Sequence, residues 1–235
     1  MAKILALDTS TDACSVALEV DGERREIFKV IPRKHTHELL PMVQQILADA
    51  QLSVQQLDAI AFGRGPGSFA GIRIATGVAQ GLAYAADLPV VPVSSLAALA
   101  QGYFRQTNDS DSLIISAFDA RMNEVYWGGY SIENALACVQ VAEVVAAPEQ
   151  LIIDGQPLLD NRRWVAVGSG FNYLDEMPAQ LTDKLSAIEK DVYPHALDIV
   201  CLASDQLAQG NTVSAENAQP VYLRNQVTWK KKDQQ

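Results

Sequence analysis

An almost uncharged helical segment at 68–85 restricts how this chain can fold more than any other feature of its sequence. Its residues are apolar or small nearly all round, and Arg73 is its one charge. A helix on the surface of a globular protein carries one apolar stripe and one polar face. We therefore expect both faces of this helix to be buried, one against a sheet and the other against a second helix of this chain or of a partner.

Two glycines four residues apart, Gly77 and Gly81, lie inside this segment. Each costs a helix about 1 kcal/mol relative to alanine, so a close approach by another helix is the expected compensation. A helical pattern at 36–50 adds a second wide apolar arc, and two such helices form a self-complementary patch that favours a dimer. The alternative, a purely internal helix, stays open at this point. The predicted partner interface comprises His37, Leu39, Met42, Val43, Ile46, Ile72, Ala75, Gly77, Val78, Ala79 and Leu82.

Composition narrows the class of protein. The chain has 235 residues, of which 49% are hydrophobic and 20% charged, which is typical of a globular protein with one large domain or two lobes. A formal net charge of -10 argues against direct binding to nucleic acid. The three cysteines are odd in number and far apart, which predicts free thiols in a reducing compartment. The apolar run at 4–7 is too short for a signal peptide and no stretch could span a membrane, so we expect a cytoplasmic protein.

The order of predicted elements suggests two related halves. A strand, an acidic turn and a second strand occur at 3–20, and the same layout recurs at 113–130. The polar stretch 106–112 separates them. We predict an N-terminal lobe at 1–105 that carries the dimerisation helices, and a C-terminal lobe at 106–235. The helix near 196–208 is a candidate to pack back on the N-terminal lobe.

The turns of both halves could form a nucleotide cleft. The loop Gly65-Pro66-Gly67-Ser68 leads into a helix N-terminus, where backbone amides can hold phosphate, but no Gly-Lys-Ser/Thr follows as in a P-loop. An ordinary tight turn with a helix cap is the alternative. Acidic strand turns and a glycine turn together match the cleft of actin/Hsp70-like ATPases. The predicted vestigial cleft comprises Asp8, Thr9, Ser10, Gly65, Gly67, Asp119, Arg121, Gly168 and Gly170.

Five segments, in order along the chain, carry a resemblance to a known family. They are DTST at 8–11, CSVA at 14–17, GPGSFAGIR at 65–73, DARMNEVY at 119–126 and PVYLRN at 220–225. Together they resemble the TsaB (YeaZ) family, and WKKK at 229–232 is similar to its gammaproteobacterial members. The resemblance implies an α/β, actin/Hsp70-like (ASKHA, ribonuclease H-like) two-lobed fold.

The resemblance also implies a function and a set of partners. Members pair with TsaD, the catalytic paralogue that transfers threonylcarbamoyl to adenosine 37 of tRNAs reading ANN codons. The ATPase TsaE joins that pair, and without TsaD the members form homodimers through their first two helices. Contact with tRNA is expected only through the complex. The basic tail 230–232 has two possible roles: it contacts tRNA directly, or it is a solvated chain end.

The same resemblance predicts that this chain is not the catalyst. The paralogue binds metal through two histidines on a helix, and Ser95 and Leu99 occupy the corresponding positions here. His35 and His37 are two residues apart and cannot share one helical face, so they are predicted at the partner rim. We expect no metal, no catalytic residues and no cofactor beyond weak nucleotide binding. A stand-alone ATPase or kinase of the same fold is the alternative function.

Overall fold

The computed structural model of the chain describes residues 2–151 and 162–224, so the tail at 229–232 lies outside the described residues. Within these ranges the chain forms two five-stranded mixed sheets, with helices between them and on their outer faces. No helix in the same ranges is both long enough and apolar enough to cross a membrane.

The first sheet has the strand order β3-β2-β1-β4-β5. An antiparallel hairpin joins its second and third strands through Asp21 and Gly22, both with positive φ, as the Asp-Gly signal predicts. An antiparallel pairing of β1 with β2 and two parallel pairings, β1 with β4 and β4 with β5, complete the sheet. The strands are β1 (Ile4–Asp8), β2 (Ala13–Val20), β3 (Glu23–Val30), β4 (Ala59–Gly65) and β5 (Val90–Ser94).

The second sheet has the order β10-β9-β6-β7-β8. Like the first sheet, it contains an antiparallel hairpin, β6–β7, and a strand parallel to the first strand of that hairpin, β9. Two of its strands, at 136–146 and 185–189, are not predicted by the sequence pattern. The strands are β6 (Leu113–Arg121), β7 (Glu124–Glu133), β8 (Leu136–Ala146), β9 (Trp164–Val167) and β10 (Leu185–Glu189).

The described parts of the chain also contain five α-helices: α1 (His35–Asp49), α2 (Phe69–Ala86), α3 (Ser95–Thr107), α4 (Ala179–Thr182) and α5 (Ala196–Ala208). The first two cover the outer face of the first sheet, and their inner residues share one core with its strands. The third and fifth lie between the two sheets, where a second core joins strands of both. Ser94 caps α3 through a 3.1 Å hydrogen bond from the Ala97 amide.

The start of α5 is anchored on the first sheet, although α5 follows the second sheet along the chain. The Ala196 amide donates to Ser15 Oγ at 2.7 Å, and the Leu197 amide donates to Glu26 Oε1 at 3.1 Å. A carboxylate at a helix N-terminus is favourable because the first amides lack partners within the helix. These contacts, with the buried apolar side of α5, join the two sheets into one molecule.

Candidate functional site

The solvent side of α2 is unusually smooth. A Cβ atom placed on Gly77 or on Gly81 would meet no atom of this chain within 4 Å. Phe69, Arg73, Gly77 and Gly81 follow one another at four-residue steps, which places them in one row along the helix, and all are exposed. The two glycines therefore leave a shallow depression in the middle of an exposed helix and serve no packing contact within the chain.

Exposed apolar side chains occur along α2 before and after these glycines, and another is exposed on α1. Tyr84 is 78% exposed, Phe69 57% exposed and, on the neighbouring helix α1, Leu40 46% exposed. Ile74, Val78 and Leu82 are half-buried along the border with the core. We call this surface the docking face; it comprises Leu40, Phe69, Arg73, Ile74, Gly77, Val78, Gly81, Leu82 and Tyr84.

Most of the predicted interface residues lie on the other side of these helices. Seven of them are at most 2% exposed, so their side chains are buried within this chain. The prediction that they contact a partner is therefore wrong. The physical reason is that both sides of α2 are apolar, and the wider apolar arc covers the sheet. The seven are Leu39, Met42, Val43, Ile46, Ile72, Ala75 and Ala79.

Four predicted residues, His37, Gly77, Val78 and Leu82, do reach the surface. His35 does not, because its ring is buried and its Nε2 lies 3.1 Å from the Ala13 carbonyl oxygen, so its predicted place at the partner rim is wrong. Three exposed residues of the docking face, Phe69, Leu40 and Tyr84, are not among the predicted ones. Arg73 could have located the exposed side, because the one charge of a helix marks the side that faces water.

Arg73 is held in a fixed position at one end of the docking face. Its guanidinium carbon lies 3.4 Å from the centre of the Phe69 ring, and its Nε donates to the Tyr222 hydroxyl at 2.8 Å. Arginine stacks on aromatic faces through the attraction between its positive charge and the ring electrons. The stack therefore joins α2 to the chain segment at 221–224.

A cleft of about 730 Å³ opens between the two lobes, next to this stack. It is large enough for a small-molecule ligand. Of the predicted cleft residues, Ser10, Gly67, Asp119 and Arg121 line it. Aromatic side chains supply much of the remaining wall; they are Phe69, Phe118, Tyr126, Tyr193 and Tyr222.

Asp8 does not face this cleft. Its side chain is fully buried, its Oδ1 accepts hydrogen bonds from the Ser10 amide and hydroxyl at 2.9 and 2.8 Å, and the Ser95 hydroxyl lies 3.4 Å from Oδ2. Burial raises the pKa of this carboxyl to about 6 despite these donors. Gly63 closes the remaining side, since a Cβ there would lie 1.9 Å from Asp8 Oδ2. The predicted role of Asp8 as a cleft residue is therefore wrong.

Glycines in the predicted phosphate loop and in the first turn of α2 permit close packing. A Cβ on Gly71 would lie 1.9 Å from the Thr9 carbonyl oxygen, and one on Gly67 would lie 2.4 Å from that of Ser10. Thr9 Oγ1 donates to the Gly71 carbonyl at 2.6 Å. Ser68 caps α2 by accepting from the Gly71 amide. The start of α2 thus lies directly on the β1–β2 turn, which favours the tight turn with a helix cap over an open phosphate cradle.

The remaining predicted glycines of the cleft also have packing roles. Gly65 has a φ of +97°, and a Cβ there would lie 3.3 Å from the Val221 carbonyl oxygen. A Cβ on Gly168 or Gly170 would meet Ala117 at 2.2 or 2.6 Å. These three glycines and Thr9 are buried by their own chain and do not face the cleft, which contradicts their prediction as cleft residues.

The acidic turn of the second lobe is occupied by internal contacts. Asp119 Oδ2 forms an ion pair with Arg121 at 3.0 Å, and the Asp119 amide donates to Ser169 Oγ. Arg224 donates to the carbonyl oxygen of Ala120 at 3.2 Å and pairs with Glu124. The chain segment at 221–224 is thereby attached to the β6–β7 turn.

The two positions at which the resemblance predicts the metal ligands of the catalytic paralogue do not suit a metal in this chain. Ser95 and Leu99 are both buried, and Leu99 lies against the Gly168 turn, where a Cβ would be 2.7 Å from its methyl carbon. Among the residues that the structure describes, no cluster of three His, Cys, Asp or Glu side chains could hold an ion. The donor set at this place therefore does not fit a transition-metal ion.

Polar groups that could suggest a hydrolase have structural roles. Ser15 donates to Glu26 at 2.8 Å, and His195 contacts the other oxygen of the same carboxylate, so the histidine is not placed as a base for the serine. Burial raises the pKa of all three cysteine thiols, that of Cys14 to about 12, which opposes thiolate formation.

Two mixed sheets that share a central helical layer, with a cleft between them, define the class of actin/Hsp70-like two-lobed α/β proteins. Residues 29–232 match the family model described as TsaD, tRNA N6-adenosine threonylcarbamoyltransferase. The chain belongs to the family of the tRNA threonylcarbamoyladenosine biosynthesis protein TsaB, as its relatives show. Both the fold and the family predicted from the sequence are confirmed.

The relatives match over nearly their whole length. The Escherichia coli protein named tRNA threonylcarbamoyladenosine biosynthesis protein TsaB is 44% identical over 230 residues, which are 97% of each chain. That of Haemophilus influenzae is 43% identical over 97% of this chain and 96% of its own. The solved structure titled YeaZ from Pseudomonas aeruginosa superposes with a TM-score of 0.88 at 44% identity, covering 95% of this chain and 100% of that one.

Proposed function

We propose that this chain is a non-catalytic subunit of the machinery that makes threonylcarbamoyladenosine in tRNA, and that it acts by pairing with the catalytic paralogue TsaD. Its family supports a role in this biosynthesis. The match to the transferase family model supports descent from a common fold, while buried Ser95 and Leu99 at the paralogue's metal positions support the loss of catalysis.

The observation that carries this proposal is the position of Gly77 and Gly81. Both are exposed in the middle of α2, and no close contact within this chain requires glycine at either position. Because glycine costs a helix about 1 kcal/mol each, a contact outside the chain accounts best for their presence. Exposed apolar side chains around them extend this surface beyond what a free monomer requires.

The docking face is the proposed site for TsaD, and for a second copy of this chain when TsaD is absent. TsaE is proposed to bind the assembled pair. The tRNA is reached only through the complex, in keeping with a formal net charge of -10 on this chain. Helices that cross at small residues approach closely, which suits the smooth row along α2.

Light scattering tests the pairing with the purified chain, alone and mixed with TsaD of the same organism. We expect a homodimer alone and a one-to-one complex in the mixture. Gly77→Leu, which fills the depression, should abolish both, whereas Ala208→Leu, at the exposed end of α5, should abolish neither. A native chain that stays monomeric and ignores TsaD would refute the proposal. Ala75→Glu and Ala79→Glu do not test the pairing, because both positions are fully buried and a charge there would disrupt the fold itself.

The cleft favours a second candidate function, that of a stand-alone ATPase or kinase. Its volume of about 730 Å³ would admit a nucleotide. Burial of Asp8 and the pairing of Asp119 with Arg121 argue for a vestigial site with at most weak nucleotide binding. ATP hydrolysis by the isolated chain above about 1 per second would support the second candidate.

A further inference from the structure

We infer that Arg73 is a specificity-determining residue of the docking face, and that it binds a carboxylate which the catalytic subunit presents there. The inference rests on the proposed function, because it names the chemistry that the partner must supply. Arg73 is the one charge within α2 and lies in the same exposed row as Gly77 and Gly81.

The guanidinium of Arg73 is positioned before any partner binds. Phe69 covers one side of it at 3.4 Å, and Tyr222 accepts the hydrogen bond from Nε at 2.8 Å. Within the described residues its two Nη groups have no hydrogen bond or ion pair. A planar group with two adjacent free donors matches a carboxylate in bidentate geometry, and a fixed side chain loses less entropy on binding.

Docking makes a counter-charge necessary. A helix seated on Gly77 and Gly81 would exclude water from the row that contains Arg73. An ion that is buried without a partner costs several kcal/mol, so an occupant without a carboxylate at this place is penalised. The face thus combines an apolar area, which gives affinity, with one charge that rejects unsuitable partners.

The need for a carboxylate opposite Arg73 favours the catalytic subunit over a second copy of this chain. A second copy brings another Arg73, and its α2 contains no Asp or Glu. The exposed middle of α1 offers the glutamines Gln44 and Gln45. Its carboxylates lie toward the two ends, where Glu38 is already paired with Lys29 at 2.8 Å and Asp49 is the last residue.

Titration calorimetry of the full chain with TsaD tests the inference. Arg73→Ala and Arg73→Lys should each weaken the Kd by at least about tenfold, because lysine keeps the charge and loses the planar fork. Tyr222→Phe should weaken it by about threefold, because the guanidinium is then less fixed. The matched control Arg25→Ala removes an equal charge from the exposed strand β3 and should leave the Kd within about twofold.

The outcomes separate this inference from the proposed function. If Gly77→Leu abolishes binding while Arg73→Ala binds like the native chain, the docking face stands and the role of Arg73 is refuted. If Arg73→Lys binds with the Kd of the native chain, a point charge suffices, and the proposed bidentate contact between the guanidinium and a carboxylate is overturned. Equal weakening of the homodimer by Arg73→Ala would make a second copy the partner. A native chain that does not bind TsaD overturns both proposals.

Discussion

Asp8 shows how a residue typical of a nucleotide site can acquire a different physical role. In the class to which this fold belongs, an acidic strand turn would be expected to face the cleft. Here the carboxyl group is fully buried, and two donors from Ser10 together with Ser95 surround it. The acidic turn could be predicted from the sequence, but the burial of Asp8 could not, because it depends on Gly63 in β4, a strand that neighbours β1 in the sheet and is far from it in the sequence.

The raised pKa of Asp8 predicts a particular pH dependence of stability. Because its pKa rises from 3.8 to about 6 on folding, the folded state binds more protons than the unfolded state between these values. The contribution of Asp8 is therefore most favourable below about pH 4 and is lost as the pH rises through about 6. At pH 7.5, Asp8→Asn should raise the free energy of unfolding by about 1–3 kcal/mol.

Urea denaturation between pH 4 and pH 7.5 measures this effect. In the Asp8→Asn variant the fall in stability across this range should become smaller. Asp111→Asn, an exposed aspartate, serves as the control and should leave the profile unchanged. A variant that is less stable than the native chain at pH 7.5 would mean that the ionised carboxylate of Asp8 stabilises the fold.

At the scale of elements, the pattern of α2 predicted its position well and its orientation poorly. Its bounds, Phe69–Ala86, agree with the apolar run, and Ser68 caps it. When a helix is apolar on both sides, the sequence does not indicate which side covers the core. Ala75 and Ala79 were therefore predicted to contact the partner, although both are fully buried within this chain. The strands β8 and β10 were missed because half-exposed strands lack a continuous apolar run.

Two glycines of α2 should respond in opposite ways to the same substitution. Gly77→Ala places its methyl group in open space, so it should stabilise the monomer by about 0.5–1 kcal/mol while it weakens pairing. Gly71→Ala places the methyl group 1.9 Å from the Thr9 carbonyl oxygen and should destabilise the fold by at least about 1 kcal/mol.

Denaturation at several protein concentrations checks this pair of variants, because association also raises apparent stability. The value extrapolated to low concentration reports the monomer, and the slope reports pairing. A stable Gly71→Ala variant would show that α2 can move away from the β1–β2 turn. A Gly77→Ala variant that pairs more tightly than the native chain would remove the argument for close helix approach.

At the scale of the whole molecule, residues distant in the sequence hold the two lobes together. The chain returns to the first sheet after α5, where Val213 pairs with Val90, and the Val221 amide donates to the Arg64 carbonyl at 2.8 Å. Arg224 then reaches the β6–β7 turn of the second lobe. Such contacts could not be predicted from the sequence, since no local pattern relates residue 224 to residue 124.

This connection predicts the effect of Arg224→Ala on motion of the second lobe. Without the guanidinium, the carbonyl oxygens of Ala120 and Arg121 lose a donor, and Glu124 loses its ion pair. The turn between β6 and β7 should then open more often. Because Arg224 contributes little to either core, global stability should change by less than about 1.5 kcal/mol.

Hydrogen exchange followed by mass spectrometry resolves this local effect from global unfolding. Peptides that cover 118–125 should exchange at least about threefold faster in Arg224→Ala, whereas peptides from α3 should keep their protection. Arg163→Ala is a suitable control, since it removes an exposed ion pair with Asp109 at the opposite end of β6. Faster exchange throughout both lobes would show that Arg224 stabilises the whole molecule. Unchanged exchange at 118–125 would show that the turn keeps its conformation without this arginine.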